Sequence, residues 1–318
     1  MTGRSAGRGV EHTRIAVAIA THRRPDGLLA LLDSLADSAD GAPGFDVIVV
    51  DNDPAGSGIT ALTDAGTYPF GITSVLEPRP GIAAARNRAL ELAADHDWIC
   101  FVDDDETVEP TWLERLVAAQ RATSADAVTG PVEFHWAVRP PRWVELGGFA
   151  IRPGHNDLER CRLAATNNAM FSIPALRSRD VRFDDALGLT GGSDMLLSRS
   201  FSDAGGRIVW AEQARVHEVM PPERCTARWS IRRAIRSGNT SALVELALVR
   251  DRGPIRRTAR RAVLVVGGVA RVLTGAAGVL SAPRIVRQAR GARAFRVMLR
   301  GVGVLGACVQ RPVREYAR

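Results

Sequence analysis

The feature that most constrains this chain is a series of short apolar runs, each ending in polar or charged residues and followed by a segment with helical periodicity. Residues 15–20, Ile-Ala-Val-Ala-Ile-Ala, are continuously apolar and too short for a helix, so they predict a buried strand. Pro25 then opens a helix whose Leu28, Leu29, Leu32 and Leu35 recur at helical spacing. Residues 47–50, 72–76 and 98–102 predict further strands and 127–129 a short fifth, with helices over 83–94 and from Pro110 to about 120. This alternation predicts an α/β fold, a mostly parallel sheet flanked by helices on both faces. The pattern does not encode the order of the strands. From 131 to 180 it loosens around Trp136, Pro140, Pro141 and Trp143, predicting loops and a small irregular sheet that shape a pocket. A helix over 193–204, a strand over 207–210 and a helix over 229–249 complete the body.

Charge divides the chain further. All 42 basic residues are arginine, so the choice of arginine over lysine says little about function, whereas its placement says more. Residues 252–318 hold 15 arginines against one acid, Glu315, a net of +14; since the whole chain is +7, the first 251 residues carry −7. The predicted organisation is a disordered N-terminus over 1–13, a catalytic body over 14–250 and an Arg-rich helical tail over 251–318. Such a tail needs an anionic partner. Residues 262–280 are nearly long enough to span a bilayer, but Arg271 sits at their middle and costs about 2.5–3.5 kcal/mol there. Amphipathic helices lying in the interface of an anionic membrane, arginines reaching the headgroups, are the expected arrangement. The plainer alternative is a helical pair packed on the body. Nucleic acid is not expected as a partner, because aromatic residues for base stacking are missing from the tail. Cys100, Cys161, Cys225 and Cys308 are scattered with no close pair, which predicts reduced thiols. No leader is expected, since the first apolar run is too short for one, and the predicted location is cytoplasmic, on the inner face of the membrane.

In a parallel α/β sheet, ligands gather beyond the carboxyl ends of the strands. The residues there are Thr21-His22-Arg23-Arg24, then Asp51-Asn52-Asp53, then Asp103-Asp104-Asp105-Glu106. Three adjacent aspartates repel one another, and a divalent cation, Mg²⁺ or Mn²⁺, is the simplest relief. Asp103 and Asp105 point the same way by the two-residue period. Arg86 lies one or two turns into the helix after Gly81, in reach of a phosphate or base, although an arginine on a helix is commonly just solvated. Gly191-Gly192-Ser193-Asp194 opens a helix; Asp194 either caps it or serves as a general base. His217 is a candidate metal ligand or a structural histidine.

Together these segments resemble the family-2 glycosyltransferases of GT-A fold, most nearly the succinoglycan-type exopolysaccharide glucosyltransferases. The carriers are Ala20-Thr-His-Arg-Arg-Pro25, Val49-Val-Asp-Asn-Asp-Pro54, Arg79-Pro-Gly-Ile-Ala-Ala-Ala-Arg-Asn-Arg-Ala89, Phe101-Val-Asp-Asp-Asp-Glu106, Gly191-Gly-Ser-Asp194, Gly206-Arg-Ile-Val-Trp210 and Pro221-Pro-Glu-Arg224. The resemblance implies a nucleotide-sugar donor, UDP-hexose by default, and a lipid-linked or glycan acceptor. It implies that Thr21, Asp51 and Arg86 surround the base, Asp51 accepting a hydrogen bond from it, with Arg23 and Asp104 in the same donor-binding set. Asp103 is expected to face the ribose, Asp105 to hold the metal, and Asp194 to deprotonate the acceptor. Ser193 stands where the family usually has Glu, so a catalytically impaired nucleotide-sugar-binding scaffold is the alternative.

Overall fold

A computed structural model describes residues 13–149, 154–188, 191–281 and 289–309. Nearly all of the stretch expected to be disordered, 1–13, lies outside the described residues, as does the tail beyond 309. In chain order the first half comprises β1 (Ile15–Thr21), α1 (Pro25–Asp37), β2 (Phe45–Asp51), α2 (Ser57–Asp64), β3 (Ile72–Leu76), α3 (Ile82–Leu92), β4 (Trp98–Asp103), β5 (Glu106–Val108) and α4 (Trp112–Thr123). Then come β6 (Ala127–Thr129), β7 (Val132–Trp136), α5 (Arg142–Gly147), β8 (Arg160–Cys161), β9 (Asn168–Ser172), α6 (Ile173–Ser178) and α7 (Ser193–Asp203). The last elements are β10 (Ile208–Trp210), β11 (Val216–Met220), α8 (Ala227–Ala247), α9 (Gly253–Leu280) and α10 (Ala289–Cys308).

The main sheet has the order β3-β2-β1-β4-β9-β6-β10-β8. Its first four strands are parallel, with Thr21 beside Asp51 and Ala20 beside Asp103, so the predicted polar strand ends do share one edge. β9 then lies antiparallel between β4 and β6. The pattern of residues gave no warning of this central strand, because its apolar stretch is only Ala-Met-Phe behind two asparagines. The asparagines are satisfied: Asn168 accepts a hydrogen bond from the buried Trp112 indole at 2.9 Å and donates to the Pro131 and Ala214 carbonyls. β5, β11 and β7 form a second, three-stranded sheet.

β1 shows how the layers are set. Its large residues Ile15, Val17 and Ile19 face the leucines of α1 and Trp112, Leu113 and Leu116 of α4. Its small residues Ala16 and Ala18 face Ala83, Ala85 and Ala89 of α3. Alanine against alanine lets α3 lie close to the sheet, and this carries Arg86 to the end of β4. All four cysteines are free and buried, as their spacing predicted.

The tail is not detached from the body. α10 packs on α8, α9 and α5, with Phe295 edge-on to Trp143 at 5.8 Å. Glycines set these crossings: a Cβ on Gly275 of α9 would come 2.6 Å from the Met298 nitrogen, and one on Gly303 of α10 would strike the Ile235 carbonyl of α8. α9 lies outermost, and among the described helices it alone is long and apolar enough to cross a membrane, with little of it buried.

Candidate active site

At the end of β1 the chain must reverse into α1 within three residues. Arg23 takes a left-handed backbone (φ 57°), which a non-glycine residue seldom adopts. Its side chain is mostly exposed and its Nε donates to Asp53 at 3.3 Å. The turn aims Arg24 inward, where its Nη1 lies 3.0 Å from Asp104 and 2.8 Å from Asp105. Gly27 is needed one step later, since any Cβ there would run into the Asp104 carbonyl. α1 therefore lies directly against the aspartate loop. Thr21, which ends β1, is buried.

The three aspartates have separate surroundings. Asp103 accepts a 2.6 Å hydrogen bond from Arg86, whose guanidinium is nearly buried and also lies over the Phe183 ring at 5.8 Å. Asp104, the middle residue, is turned inward and buried; burial pushes its carboxyl up to about 6, against the opposing pull of Arg24. Asp105 is partly exposed and sits between Arg24 and Arg224, the latter 3.4 Å away. The expected common direction of Asp103 and Asp105 is not what their partners show: Asp105 shares Arg24 with Asp104, whereas Asp103 pairs with Arg86, because β4 ends at Asp103 and the chain turns there.

Glu106, named at that strand end but given no role, and Glu218 complete the cluster. Glu106 is buried, accepts from the Asp103 nitrogen and the Asn167 amide, and is raised well above its ordinary value, chiefly by burial and then by the Asp103 charge. Glu218, also buried, receives the Arg224 guanidinium at 3.1 Å, the same group that reaches Asp105. Glu218 was hidden because its place depends on β11 pairing with β5, Glu218 opposite Glu106. The neighbouring His217 projects from the other face of β11, towards Glu109, Glu133 and His135. The structure thus sets His217, expected as a candidate metal ligand or a structural histidine, on the face of β11 turned away from Asp105.

Asp51 also differs from expectation. It is fully buried, and its oxygens accept from the backbone nitrogens of Asp53, Gly58 and Ile59 at 2.9, 2.8 and 3.1 Å. A carboxylate at the start of α2 is favoured by the unpaired N–H groups and dipole there. Asp51 thus shapes the edge of the crevice by anchoring α2, rather than offering a free carboxylate to a base. Asn52 was likewise unmarked in the sequence: its amide donates to the Glu77 and Arg79 carbonyls and accepts from the Gly81 nitrogen, tying the loop before α3 to β2.

The opposite wall comes from the segment before α7. Asn87 of α3 donates to the Phe183 carbonyl and to Asp185, and Gly188 lies against Gly81. Gly191 and Gly192, both with positive φ, then lead into α7. Among the described residues, the Asp194 carboxylate makes no hydrogen bond or ion pair, so it does not cap α7. Ser193 beside it is buried. The site accordingly offers five clustered carboxylates with two arginines bracketing Asp105, an Arg86–Asp103 pair, and an unengaged carboxylate at a helix start. Asp105 and Glu218, joined through Arg224, offer carboxylate oxygens of the kind that Mg²⁺ or Mn²⁺ takes.

Comparison with known proteins gives the family and the fold. A family model described as Glycosyl transferase family 2 matches residues 16–180. The chain is 35% identical over 237 residues to the succinoglycan biosynthesis protein ExoM of Rhizobium meliloti (strain 1021), covering 72% of this chain and 74% of that one. It is 27% identical over 183 residues to a glucosyl-dolichyl phosphate glucuronosyltransferase of Haloferax volcanii, covering 52% and 56%. Among solved structures, the mannosyltransferase PcManGT from Pyrobaculum calidifontis, in complex with GDP-Man and Mn²⁺, aligns at a TM-score of 0.60 with 20% identity, over 95% of this chain and 88% of that one. Residues 1–349 of TarS from S. aureus align at 0.51 with 15% identity, over 90% of each chain. These structural likenesses speak to the fold, a mixed α/β sheet of GT-A type.

Proposed function

The chain belongs to glycosyl transferase family 2, and on that premise we propose that it moves a hexose from a nucleoside-diphosphate sugar, UDP-linked by first choice, to a hydroxyl of a lipid-linked or polysaccharide acceptor at the inner face of the cytoplasmic membrane. The observation that carries this reading is the pairing of a carboxylate cluster at the end of β4 with an unengaged carboxylate, Asp194, at the start of α7.

Thr21, Arg23 and Arg86 line the place for the nucleotide, with Asp51 holding that edge in shape and Asp103 presented to the ribose by its bond to Arg86. Asp104, buried beneath, holds Arg24 against Asp105. Mg²⁺ or Mn²⁺ held by Asp105, with Glu218 beside it, would supply positive charge to the departing diphosphate. Asp194 takes the proton of the acceptor hydroxyl, whose oxygen attacks the anomeric carbon from the side opposite the diphosphate, so the configuration inverts. The acceptor class draws on the relatives, one named for succinoglycan biosynthesis and one for acting on a glucosyl-dolichyl phosphate.

The membrane part of the proposal rests on α9. Its exposed Ile255, Val266, Val269, Leu273 and Leu280 are spaced to fall on one face, while Gly268 and Gly275 are buried against α10. Arg256, Arg257, Arg260 and Arg261 gather in the first turns of the helix, off that stripe, with Arg260 paired to Glu245 of α8. A helix apolar on its outer face and basic at one end suits the interface of an anionic bilayer.

The test is binding and turnover of a panel of sugar nucleotides with and without Mn²⁺, for wild type, Asp105→Ala and Asp194→Asn. One donor should bind with metal; Asp105→Ala should lose that binding, and Asp194→Asn should keep binding while turnover falls about 10²–10⁴-fold. Donor binding by wild type with no turnover, even with membrane extract supplying acceptors, would sink the catalytic reading. Ser193 would then mark a disabled site in a nucleotide-sugar-binding scaffold.

A further inference from the structure

The second sheet carries a group of metal-ligating side chains on the face turned away from the aspartates. β7 and β11 run parallel there, with Glu133 opposite His217 and His135 opposite Val219. His135 Nε2 lies 3.0 Å from His217 Nδ1, and Glu133 Oε2 lies 3.8 Å from the same nitrogen. One ligand atom from each of Glu133, His135 and His217 falls within a 4.8 Å span. The other ring nitrogen of His217 faces Glu109 Oε1 at 3.4 Å, just beyond β5. Arg215 runs along the group, pairing with Glu133 at 3.3 Å and Glu109 at 3.8 Å.

Two imidazole nitrogens 3.0 Å apart share one proton at best, and both rings protonated there would repel. A zinc-class ion bonds imidazole nitrogen at about 2.0–2.1 Å, so two such bonds at tetrahedral or somewhat narrower angles put the nitrogens roughly 3.0–3.4 Å apart. The pair already has nearly that spacing. Metal-bound histidines characteristically give their second N–H to a carboxylate, which fixes the tautomer and the ring. Glu109 stands where it receives His217 Nε2–H and leaves the Nδ1 lone pair aimed into the group. Two imidazoles and one carboxylate select zinc-class ions over Mg²⁺ or Mn²⁺, which favour all-oxygen shells.

We propose that His135, His217 and Glu133 form a binding site for a zinc-class divalent ion, separate from the aspartate cluster, with Glu109 orienting His217. Three protein ligands at the surface leave a coordination position open to water or to a ligand atom. The ion cross-links β7 to β11 and, through Glu109, reaches β5. Those strands carry Glu218 and Glu106 on their other face, so the ion stiffens the sheet behind the carboxylate cluster.

The experiment is calorimetric titration of the full chain with Zn²⁺, alongside visible absorption of the Co²⁺-loaded protein. Wild type, His135→Ala, His217→Ala, Glu109→Gln and Asp105→Ala are compared, each first shown by thermal melting to be folded. His135→Gln and His217→Gln stand in for any alanine variant that is not. Expected is one Zn²⁺ site retained in Asp105→Ala, weakened at least 100-fold by either histidine substitution and about 10–100-fold by Glu109→Gln. Co²⁺ should give the intense visible bands of a four-coordinate site in wild type and Asp105→Ala, and lose them in the histidine variants. No Zn²⁺ binding by wild type, or binding lost with Asp105→Ala and untouched by both histidine substitutions, overturns the proposal.

Discussion

The edge of the main sheet and the outer helix α9 obey opposite rules. At the edge, charges go inward and are answered by name: Arg86 by Asp103, Arg24 by Asp104 and Asp105, Arg79 by Glu77. On α9 the large apolar side chains face outward, Val266 at 68% and Leu273 at 64% exposure, while its glycines face the protein. A carboxylate cluster is tolerable in a core only because its charge is needed or neutralised. An outward stripe of Val and Leu is the kind of patch that calls for a partner surface. The first region gathers charge inward; the second presents an apolar face, which the proposed membrane contact would use.

The largest effect that would sharpen this contrast belongs to Asp104. Burial lifts its folded value to about 6, so the folded chain holds that proton more tightly than the unfolded one. The stability it gives is complete below about pH 4 and is lost as pH rises through 6, an amount on the order of 3 kcal/mol. Asp104→Asn, uncharged throughout, should flatten the fall in melting temperature across that window in metal-chelated protein. Glu106, also raised, adds a dependence of the same sign that the variant retains. An unchanged slope would mean that Asp104 is not held in the way its burial implies.

The bilayer side of the comparison breaks next. The double variant Val266→Asp, Leu273→Asp should lower co-sedimentation with anionic vesicles about 150-fold, since each side chain forfeits on the order of 1.5 kcal/mol of burial. Its melting temperature should hold, because neither side chain packs inside the protein. Vesicle binding that survived would leave α9 as a packed helix and no more.

Smaller effects probe what joins the two regions. Gly303→Val forces a side chain into the Ile235 carbonyl at the α8–α10 crossing and should destabilise by about 2 kcal/mol. It should weaken vesicle binding through loss of the α9 support, yet spare donor binding if the regions are as separate as they look. Asn52→Ala removes the link between β2 and the Glu77–Gly81 loop and should cost about 1 kcal/mol. Its effect should fall on donor KM, with vesicle binding untouched.

Much of the first region was legible in the residues themselves. Unbroken apolar runs of four to six gave β1, β2 and β4, and Pro25 with its leucines gave α1, because burial on both faces leaves so strong a pattern. The aspartate loop stood out for the reverse reason, since polar residues directly after an apolar strand have few structural excuses; Gly191-Gly192-Ser193-Asp194 stood out only as a double glycine opening a helix, with Asp194 open between cap and base. β9 escaped because three apolar residues do not make a pattern. Glu218 escaped because a single acid in a strand carries no sign of what it meets, and Glu106 was visible beside the aspartates without its burial being so. His217 was open between metal ligand and structural histidine, and one residue of alternation along β11 sets it on the face turned from the aspartates.

The sequence by itself determined the class of fold, the segments that carry charge to the strand ends and the basic, glycine-bearing character of the tail. These are local matters, set by periodicity and by what the backbone allows. Only the tertiary structure decided that β9 lies beside β4, that Asp51 anchors α2, that Glu218 joins the aspartates, and that α9 turns its valines outward. The β4–β9 pairing and the Glu218–Arg224–Asp105 contact join residues far apart in the chain, and even the shorter-range choices, Asp51 onto α2 and α9 onto α10, turn on which face a segment presents to its neighbour; no local pattern specifies which partner a strand or helix will meet.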